Sequence, residues 1–213
     1  MKGLFITFEG LDGSGKTTQI KLIYNFLIKA GFDVVLTREP GGTDIGDLIR
    51  KILLDKKNSG MSYRAETLLF LASRAELVSK IIEPAIKEGK IVICDRFFDS
   101  TVVYQGIARE LGEKEILDMS LWATNGIVPD LTFLLSVSAG MCNRRISSAS
   151  KGKDRIEAEK NNFKEKIYKG YLDVAKKNRD RFVVINGDEE IGSIFTTVKD
   201  NVLRLLKLKG LMR

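Results

Sequence analysis

The feature that most constrains this chain is a glycine-rich segment near its start. It reads Gly10-Leu11-Asp12-Gly13-Ser14-Gly15-Lys16-Thr17 and matches the pattern GxxxxGK[ST] at every position. An apolar run precedes it and an amphipathic pattern follows it, so the segment joins a strand to the start of a helix. Backbone N–H groups of such a loop point at phosphate oxygens, and the helix N-terminus adds a positive dipole end. The segment therefore predicts a Mg²⁺–nucleoside triphosphate site, in which Lys16 reaches the β- and γ-phosphates and the Thr17 hydroxyl binds the metal.

The rest of the chain alternates short β-branched or aromatic runs with longer helical patterns. Strands are expected at Leu4–Phe8, Val34–Leu36, Ile91–Cys94, Leu131–Val137 and Phe182–Ile185. Helices are expected at Lys16–Ala30, Asp44–Leu54, Arg64–Lys87, Ser100–Arg109, Glu113–Thr124, Glu157–Lys177 and Ile191–Leu206. This alternation predicts an α/β fold, with a mainly parallel sheet covered by helices on both faces, within one domain over residues 1–213. Ligands of such sheets bind beyond the carboxyl ends of the strands, so chemistry is expected directly after each strand.

Composition excludes several classes of site. The chain has no histidine, which rules out imidazole-based catalysis and histidine-ligated zinc. Its two cysteines cannot form a four-thiolate metal site, and Cys94 lies in an apolar run that predicts a buried free thiol. No apolar stretch approaches the roughly 20 residues of a membrane span. We expect a cytoplasmic protein with no membrane partner.

Positive charge is concentrated in the third quarter of the chain. Residues 141–181 contain 13 lysines and arginines and 6 acids, an excess equal to the whole chain's net charge of +7. The small, polar stretch Ser147–Lys153 predicts a mobile lid at about residues 147–156, whose basic flanks can close over an anion. The stretch from Lys160 to Arg181 is better explained as a solvated helix surface. A non-catalytic nucleic-acid-binding protein is the competing class, but aromatic residues are sparse there, so no nucleic-acid partner is expected.

Arginines follow the second and third expected strands. Arg38 precedes the turn Glu39-Pro40-Gly41-Gly42, where it can hold a second phosphate, although a turn with an incidental surface arginine explains it equally well. Asp95 follows the third strand at the position where a carboxylate organises Mg²⁺ and its water. Arg96, beside it, is a second candidate phosphate ligand. Together with the loop at residues 10–17, these residues suggest phosphoryl transfer between two bound phosphates.

Phe70 and Arg74 are four residues apart on an expected helix and share one face. An aromatic ring and a guanidinium in that arrangement can stack on a flat base and donate to its carbonyl edge. Taken alone, the pair is better explained as one core residue and one surface residue.

These features occur together in segments that resemble the thymidylate kinase family. The segments are FEGLDGSGKTTQ (Phe8–Gln19), TREPGGT (Thr37–Thr43), LFLASRAE (Leu69–Glu76), DRFFDSTVVYQG (Asp95–Gly106) and PDLTFLL (Pro129–Leu135). The resemblance implies a five-stranded parallel sheet, a homodimer, and Mg²⁺-dependent phosphorylation of dTMP to dTDP by ATP, a step towards dTTP. A P-loop kinase acting on another nucleoside monophosphate, or on a deoxynucleoside, is the alternative.

The resemblance also implies roles for individual residues. The ATP phosphates would be held by the loop residues Gly10, Leu11, Asp12, Gly13, Ser14, Gly15, Lys16, Thr17 and Thr18, and Mg²⁺ by Thr17 and Asp95. Asp12 would also contact the 3′-hydroxyl of dTMP. The dTMP phosphate would be bound by Arg38 and Arg96, and the thymine ring would stack on Phe70 and receive a hydrogen bond from Arg74. The base and sugar pocket would be lined by Ser100, Thr101, Tyr104 and Gln105, with Tyr104 disfavouring a 2′-hydroxyl.

The loop at residues 10–17 differs from that of some family members in one respect. Gly13 and Ser14 stand where those members have a basic residue inside the loop. The resemblance therefore implies that the lid supplies the positive charge, and Lys151, Lys153 and Arg155 are its candidates. Lysine lacks the bidentate fork of arginine, so which residue contacts the transferring phosphoryl group stays open. A further pair of basic residues, Arg144 and Arg145, is the candidate for stacking on adenine.

Overall fold

The computed structural model describes residues 3–147 and 154–212. Its strands are β1 Leu4–Glu9, β2 Val34–Arg38, β3 Ile91–Asp95, β4 Leu131–Ser136 and β5 Phe182–Asn186. Its α-helices are α1 Lys16–Lys29, α2 Asp44–Leu54, α3 Tyr63–Leu77, α4 Glu83–Lys87, α5 Phe98–Thr101, α6 Glu113–Ala123, α7 Ala139–Ser147, α8 Asn161–Lys177 and α9 Ile191–Leu208. All five expected strands are confirmed, with ends that differ by one or two residues.

The five strands form one sheet in the order β2-β3-β1-β4-β5, and every neighbouring pair is parallel. This confirms the expected α/β class with helices on both faces. In the register, Asp95 lies opposite Phe8 of β1 on one side and opposite Arg38 of β2 on the other. The carboxyl ends of β2, β3 and β1 therefore meet at one edge.

Two apolar layers cover the sheet. Alternate residues of β1 enter different layers: Phe5 packs with Leu77 and Tyr171 on one face, while Ile6 packs with Ile23 on the other. All six residues of β1 are buried, which explains its nearly continuous apolar run. The sheet is therefore a rigid base for the loops at its carboxyl edge.

The structure differs from the expected helices in four places. The helix expected over Arg64–Lys87 contains a π-helical segment, Val78–Ile82, just before Pro84, which has no N–H to donate to the preceding turn. A second π-helical segment, Val102–Ala108, continues α5. Helix α7 was not among the expected helices.

The helix expected from Glu157 begins only at Asn161. The Asp154 carboxylate accepts from the N–H of Glu157, and the Glu157 carboxylate accepts from the N–H of Asp154, both within 3 Å. This reciprocal pairing closes a turn on the C-terminal side of the expected lid.

Cys94 and Cys142 are both buried free thiols, as expected for Cys94. Within the described ranges, no helix combines the length and the apolar character that crossing a membrane requires.

Candidate active site

The segment between β1 and α1 wraps into a tight loop. Gly10, Gly13 and Gly15 have φ values of 131°, 82° and 99°, a region that favours glycine. A Cβ atom on Gly10 would lie 2.6 Å from the Leu135 carbonyl oxygen, so a side chain does not fit there. The Lys16 ammonium donates to the carbonyls of Gly10 and Leu11 at 2.9 Å. Burial and the nearby Arg96 charge lower the pKa of Lys16.

A cleft of about 560 Å³ opens above this loop, at the carboxyl edge of the sheet. Most of the expected site residues line it, namely Asp12, Gly13, Gly15, Lys16, Thr17, Thr18, Arg38, Phe70, Arg74, Asp95, Arg96, Ser100, Thr101, Tyr104 and Gln105. The expected loop residues Gly10, Leu11 and Ser14 are buried behind it. The structure thus brings the triphosphate loop and the expected acceptor residues into one space.

Two oxygen donors converge at the floor of the cleft. The Thr17 hydroxyl donates to the Asp95 carboxylate across 3.5 Å. In the described ranges, no group of three or more aspartate, glutamate, cysteine or histidine side chains could hold a metal ion by itself. One hydroxyl and one carboxylate suit Mg²⁺, which keeps several waters and takes further oxygens from substrate phosphates. The donor set therefore fits that ion.

Arg96 has an unusual backbone conformation and a firmly held side chain. Its φ is 71°, which is costly for a residue with a Cβ. Its Nη2 donates to Asp12 at 2.7 Å, while Nη1 donates to the Ser100 hydroxyl at 3.2 Å and to the Tyr171 hydroxyl at 3.0 Å. The guanidinium is therefore fixed at both terminal nitrogens.

Asp12 lies between two cations. Partial desolvation raises the pKa of this carboxyl, but Arg96 and Lys16 outweigh that effect and lower it to about 2. Asp12 is consequently ionised at neutral pH and can accept a hydrogen bond from a ligand hydroxyl.

Glu9 lies beneath Arg96 and is fully buried. Burial, followed by the charge of Asp99, raises its pKa to about 7. Its carboxylate accepts from the N–H of Phe97 and from the hydroxyls of Ser100 and Tyr171, at 2.6 to 2.8 Å. Neither Glu9 nor Tyr171 was identified from the sequence.

Arg38 is more loosely held than Arg96. Its side chain is 56% exposed, and its Nη2 lies 3.4 Å from the Asp47 carboxylate. Arg50, on α2, also lines the cleft and donates to the Pro40 carbonyl at 2.8 Å. Arg96 and Arg38 therefore differ, because hydrogen bonds fix the Arg96 side chain whereas the Arg38 side chain is exposed.

Arg74 is buried and partly satisfied by the protein. Its Nε and Nη2 donate to the Glu39 carboxylate, and Nη2 also donates to the Thr101 hydroxyl at 2.9 Å. Among the residues that the structure describes, none is a hydrogen-bond partner of its buried Nη1. Because Arg74 lines the cleft beside Phe70, this nitrogen is available to a carbonyl oxygen of a bound base. Glu39, which orients Arg74, was missed by the sequence analysis.

Gln105 and Tyr104 occupy the same wall of the cleft. The Gln105 amide donates to buried Glu66 at 2.8 Å. The Tyr104 ring lies 5.5 Å from the Arg96 guanidinium, and burial raises the pKa of its hydroxyl, which therefore stays protonated. Both side chains are placed before any ligand arrives.

The two basic residues of α7 lie apart from the cleft. Arg145 donates to the carbonyls of Gly13 and Gly187 and pairs with Asp188 at 3.1 Å, so it bridges the loop after β1 and the loop after β5. Arg144 is exposed on the same helix. Neither lines the cleft that holds the other expected residues.

Arg155 does not take the position expected for a lid residue. Its Nε donates to the Leu53 carbonyl at 2.7 Å, and its Nη1 pairs with the buried Glu66 carboxylate at 2.6 Å. It does not line the cleft, whereas its neighbours Asp154 and Ile156 do. The structure therefore makes Arg155 an anchor at the C-terminal end of the expected lid. Lys151 and Lys153 lie outside the described residues.

Four polar residues each form a hydrogen bond with an expected site residue and thereby orient it. They are Glu9, Glu39, Glu66 and Tyr171. Glu9 and Glu39 are next to recognised motif residues, which is a weak signal. Nothing in the local pattern of Glu66 or Tyr171 separates them from other helix residues.

Comparison with known proteins agrees with this geometry. The family model for thymidylate kinase matches residues 8–198. A thymidylate kinase of Thermosipho melanesiensis is 46% identical over 92% of this chain and 96% of its own length. One from Exiguobacterium sp. is 40% identical over the full length of both chains. The crystal structure of the thymidylate kinase of Ehrlichia chaffeensis matches with a TM-score of 0.75 and 35% identity, over 95% of this chain and 99% of that chain. The chain belongs to the thymidylate kinase family.

Proposed function

We propose that this protein transfers the γ-phosphoryl group of ATP to dTMP. The observation that carries the proposal is the meeting, in one cleft, of a triphosphate loop with Arg38, Arg96 and the Phe70–Arg74 pair. Two arginines at the acceptor end favour an acceptor that already carries a phosphate, and no observation favours a deoxynucleoside in its place. Membership of the thymidylate kinase family supports the same conclusion.

On the donor side, the chain binds and neutralises the triphosphate. The loop of Gly10 to Thr18 supplies backbone N–H groups, and Lys16 moves from its carbonyl partners to the phosphate oxygens. Thr17 and Asp95 would hold Mg²⁺, which when bound offsets phosphate charge and aligns the reacting oxygens. Arg145 is our candidate for the adenine side, because it connects Gly13 with the loop after β5.

On the acceptor side, the chain orients dTMP for in-line attack. Arg96 and Arg38 bind its phosphate, and ionised Asp12 accepts from its 3′-hydroxyl. The thymine ring stacks on Phe70, and the free Nη1 of Arg74 donates to a ring carbonyl.

Ser100, Thr101, Tyr104 and Gln105 complete the base and sugar wall of this proposed pocket. Lys153 is our candidate for contact with the transferring phosphoryl group, since Arg155 is held elsewhere.

A panel of acceptors tests the proposal. ADP release from ATP and Mg²⁺ is measured with dTMP, dUMP, dCMP, dGMP, AMP and thymidine. We expect the highest kcat/KM with dTMP and no acceleration by thymidine, which lacks the phosphate that Arg38 and Arg96 bind. A higher kcat/KM for another monophosphate, or for thymidine, would refute this function.

We further propose that two copies of the chain form a homodimer through α2. Ile45, Leu48 and Ile52 recur at helical spacing on this element and are each 46% to 59% exposed. The family resemblance implies a homodimer, without specifying its surface. Light scattering after gel filtration should give the mass of two chains, and Leu48→Glu should shift it to one. Leu208→Glu, at a residue 75% exposed on α9, is the matched control and should leave the mass unchanged. A monomeric wild-type protein would contradict the proposal.

A further inference from the structure

Three polar side chains, those of Glu9, Ser100 and Tyr171, meet beside Arg96, and of these Ser100 also lines the cleft. The hydroxyls of Ser100 and Tyr171 lie 2.8 Å apart, and each is within 2.8 Å of the same Glu9 oxygen. Each hydroxyl also lies within 3.2 Å of Arg96 Nη1. Tyr171 comes from α8, beyond the lid in the chain, and does not line the cleft.

Donor and acceptor chemistry allows an arrangement in which every member of this cluster is satisfied. An ionised carboxylate can only accept, and each hydroxyl has one proton to donate. When both hydroxyls donate to Glu9, their lone pairs face Arg96, whose Nη1 carries two protons and can donate one to each. Burial raises the pKa of Tyr171, so its hydroxyl keeps the proton it donates. Asp12 binds the other terminal nitrogen, and the guanidinium plane is thereby defined.

The packing of α8 brings Tyr171 within reach. The preceding residue is Gly170, where a Cβ atom would lie 3.1 Å from a methyl group of Val103. A larger residue would crowd the π-helical segment Val102–Ala108 against α8. The Tyr171 ring then packs edge-on against the Tyr104 ring, with centroids 6.2 Å apart.

We propose that Tyr171 is a positioning residue for dTMP binding, which acts through Glu9 and Arg96 to hold the guanidinium in the orientation that receives the acceptor phosphate. The inference rests on the proposed function and adds to it a residue outside the cleft. An arginine whose side chain is already fixed loses less conformational freedom when its ligand binds. Because Arg96 is proposed to bind the phosphate of dTMP, we expect Tyr171 to affect the affinity for dTMP and not that for ATP.

The test substitutes Tyr171→Phe, which keeps the ring and removes only the hydroxyl. Kinetics are measured at pH 8, above the pKa of about 7 for Glu9, so that this carboxylate is ionised. We expect kcat/KM for dTMP to fall about fivefold or more, mainly through KM, because the hydrogen bonds of this hydroxyl to Glu9 and Arg96 are lost. KM for ATP should stay within about twofold of wild type.

Tyr168→Phe is the matched control. Tyr168 lies one turn earlier on α8, and its hydroxyl accepts from Ser136 at 3.4 Å, away from Arg96. It should leave both KM values unchanged. An equal loss for ATP and dTMP in Tyr171→Phe would indicate general disruption and would overturn the proposal.

Arg96→Ala provides the coupling test. In that background, adding Tyr171→Phe should change kcat/KM for dTMP by less than about twofold, because no guanidinium is left to position. A further fivefold loss would show that Tyr171 acts by another route. Should Tyr171→Phe fail to fold, Glu9→Gln is the second variant and should show the same selective rise in KM for dTMP.

The outcomes separate this inference from the proposed function. If the wild type and Tyr168→Phe do not phosphorylate dTMP, the function is wrong. If both do and Tyr171→Phe matches them, only the positioning role is wrong.

Discussion

The geometry of this site depends on single residues that several neighbours hold in place, and Arg96 is the clearest example. Its positive φ costs on the order of 1–2 kcal/mol, which the surrounding contacts must offset. The strained backbone aims the side chain from the end of β3 back towards the loop, where Asp12 holds it. The sequence identified Arg96 through the neighbouring Asp95 and the preceding strand. It contained no indication of the strain, because φ depends on the tertiary contacts of the segment.

Lys16 is the residue whose loss should affect the reaction most directly. Lys16→Ala removes the cation that balances charge on the β- and γ-phosphates, so we expect kcat to fall at least roughly 100-fold. Single-turnover and steady-state rates measure this, with circular dichroism as the check on folding. Lys29→Ala, at an exposed lysine at the end of the same helix, should retain the wild-type kcat. A loss below tenfold in Lys16→Ala would count against the assigned role.

Glu9 predicts a pH dependence of stability. Its pKa is about 7 in the folded protein against 4.5 for an ordinary glutamate, so the folded state binds more protons between these values. The stabilising contribution of protonated Glu9 is therefore complete below pH 4.5 and is lost as the pH rises through about 7, for a total of about 3 kcal/mol.

Urea unfolding at pH 5, 6, 7 and 8 measures that contribution. The free energy of unfolding of Glu9→Gln should fall less over this range than that of wild type, because the amide does not ionise. The free energies of unfolding of the two proteins are subtracted at each pH, because contributions from groups that titrate equally in both then cancel. Two parallel curves would show that burial does not perturb Glu9.

At the scale of elements, the C-terminal half of the expected lid shows what a local sequence pattern cannot predict. Residues 151–155 present three basic side chains, and local pattern cannot tell which one faces the substrate. In the structure, Arg155 is buried and contacts Glu66 and the end of α2. These partners lie about 90 to 100 positions away in the chain, so no local pattern reveals them. By contrast, Phe70 and Arg74 were predictable as a pair, because helical spacing alone places them on one face.

The π-helical segments and α7 were not predictable for a related reason. Pro84 marks a helix interruption in the sequence, yet the wide turn that accommodates it depends on packing against the sheet. Residues 139–147 form a short helix that includes one glycine, one asparagine and one serine, all weak helix formers. Tertiary contacts, which no local rule contains, decide both cases.

The buried contacts of Arg155 and the proposed role of Lys153 predict different phenotypes. Arg155→Met removes one partner of the buried Glu66 carboxylate, so we expect a lower thermal midpoint and a destabilisation of about 1–3 kcal/mol. Lys153→Ala should leave the midpoint unchanged and lower kcat more than it changes either KM. Calorimetry and steady-state kinetics on both variants test this contrast. A selective loss of kcat in Arg155→Met, with wild-type stability, would restore a catalytic role for Arg155.

At the scale of the whole molecule, strand order determines which residues can react together. The chain order places β2 between β1 and β3, but the sheet places β3 between β1 and β2. Asp95 and Arg96 consequently lie between the triphosphate loop and Arg38. The sequence predicted that chemistry gathers at the carboxyl edge. It did not predict the strand order, because that order depends on non-local pairing.

This arrangement predicts that ATP and dTMP stabilise the protein independently. Each ligand at about 100 times its Kd should add about 2.7 kcal/mol to the free energy of unfolding, and both together should add at least the sum. Thermal midpoints with dTMP, with a non-hydrolysable ATP analogue plus Mg²⁺, and with both ligands measure this. Arg38→Ala should reduce the shift caused by dTMP and preserve that of the ATP analogue, since Arg38 lies at the acceptor end and its exposed side chain contributes little to folding. Arg204→Ala, at an exposed arginine on α9, should preserve both shifts. If the ATP analogue instead abolished the shift caused by dTMP, the two nucleotides would be competing for one pocket, and phosphoryl transfer between two facing nucleotides could not occur in this cleft.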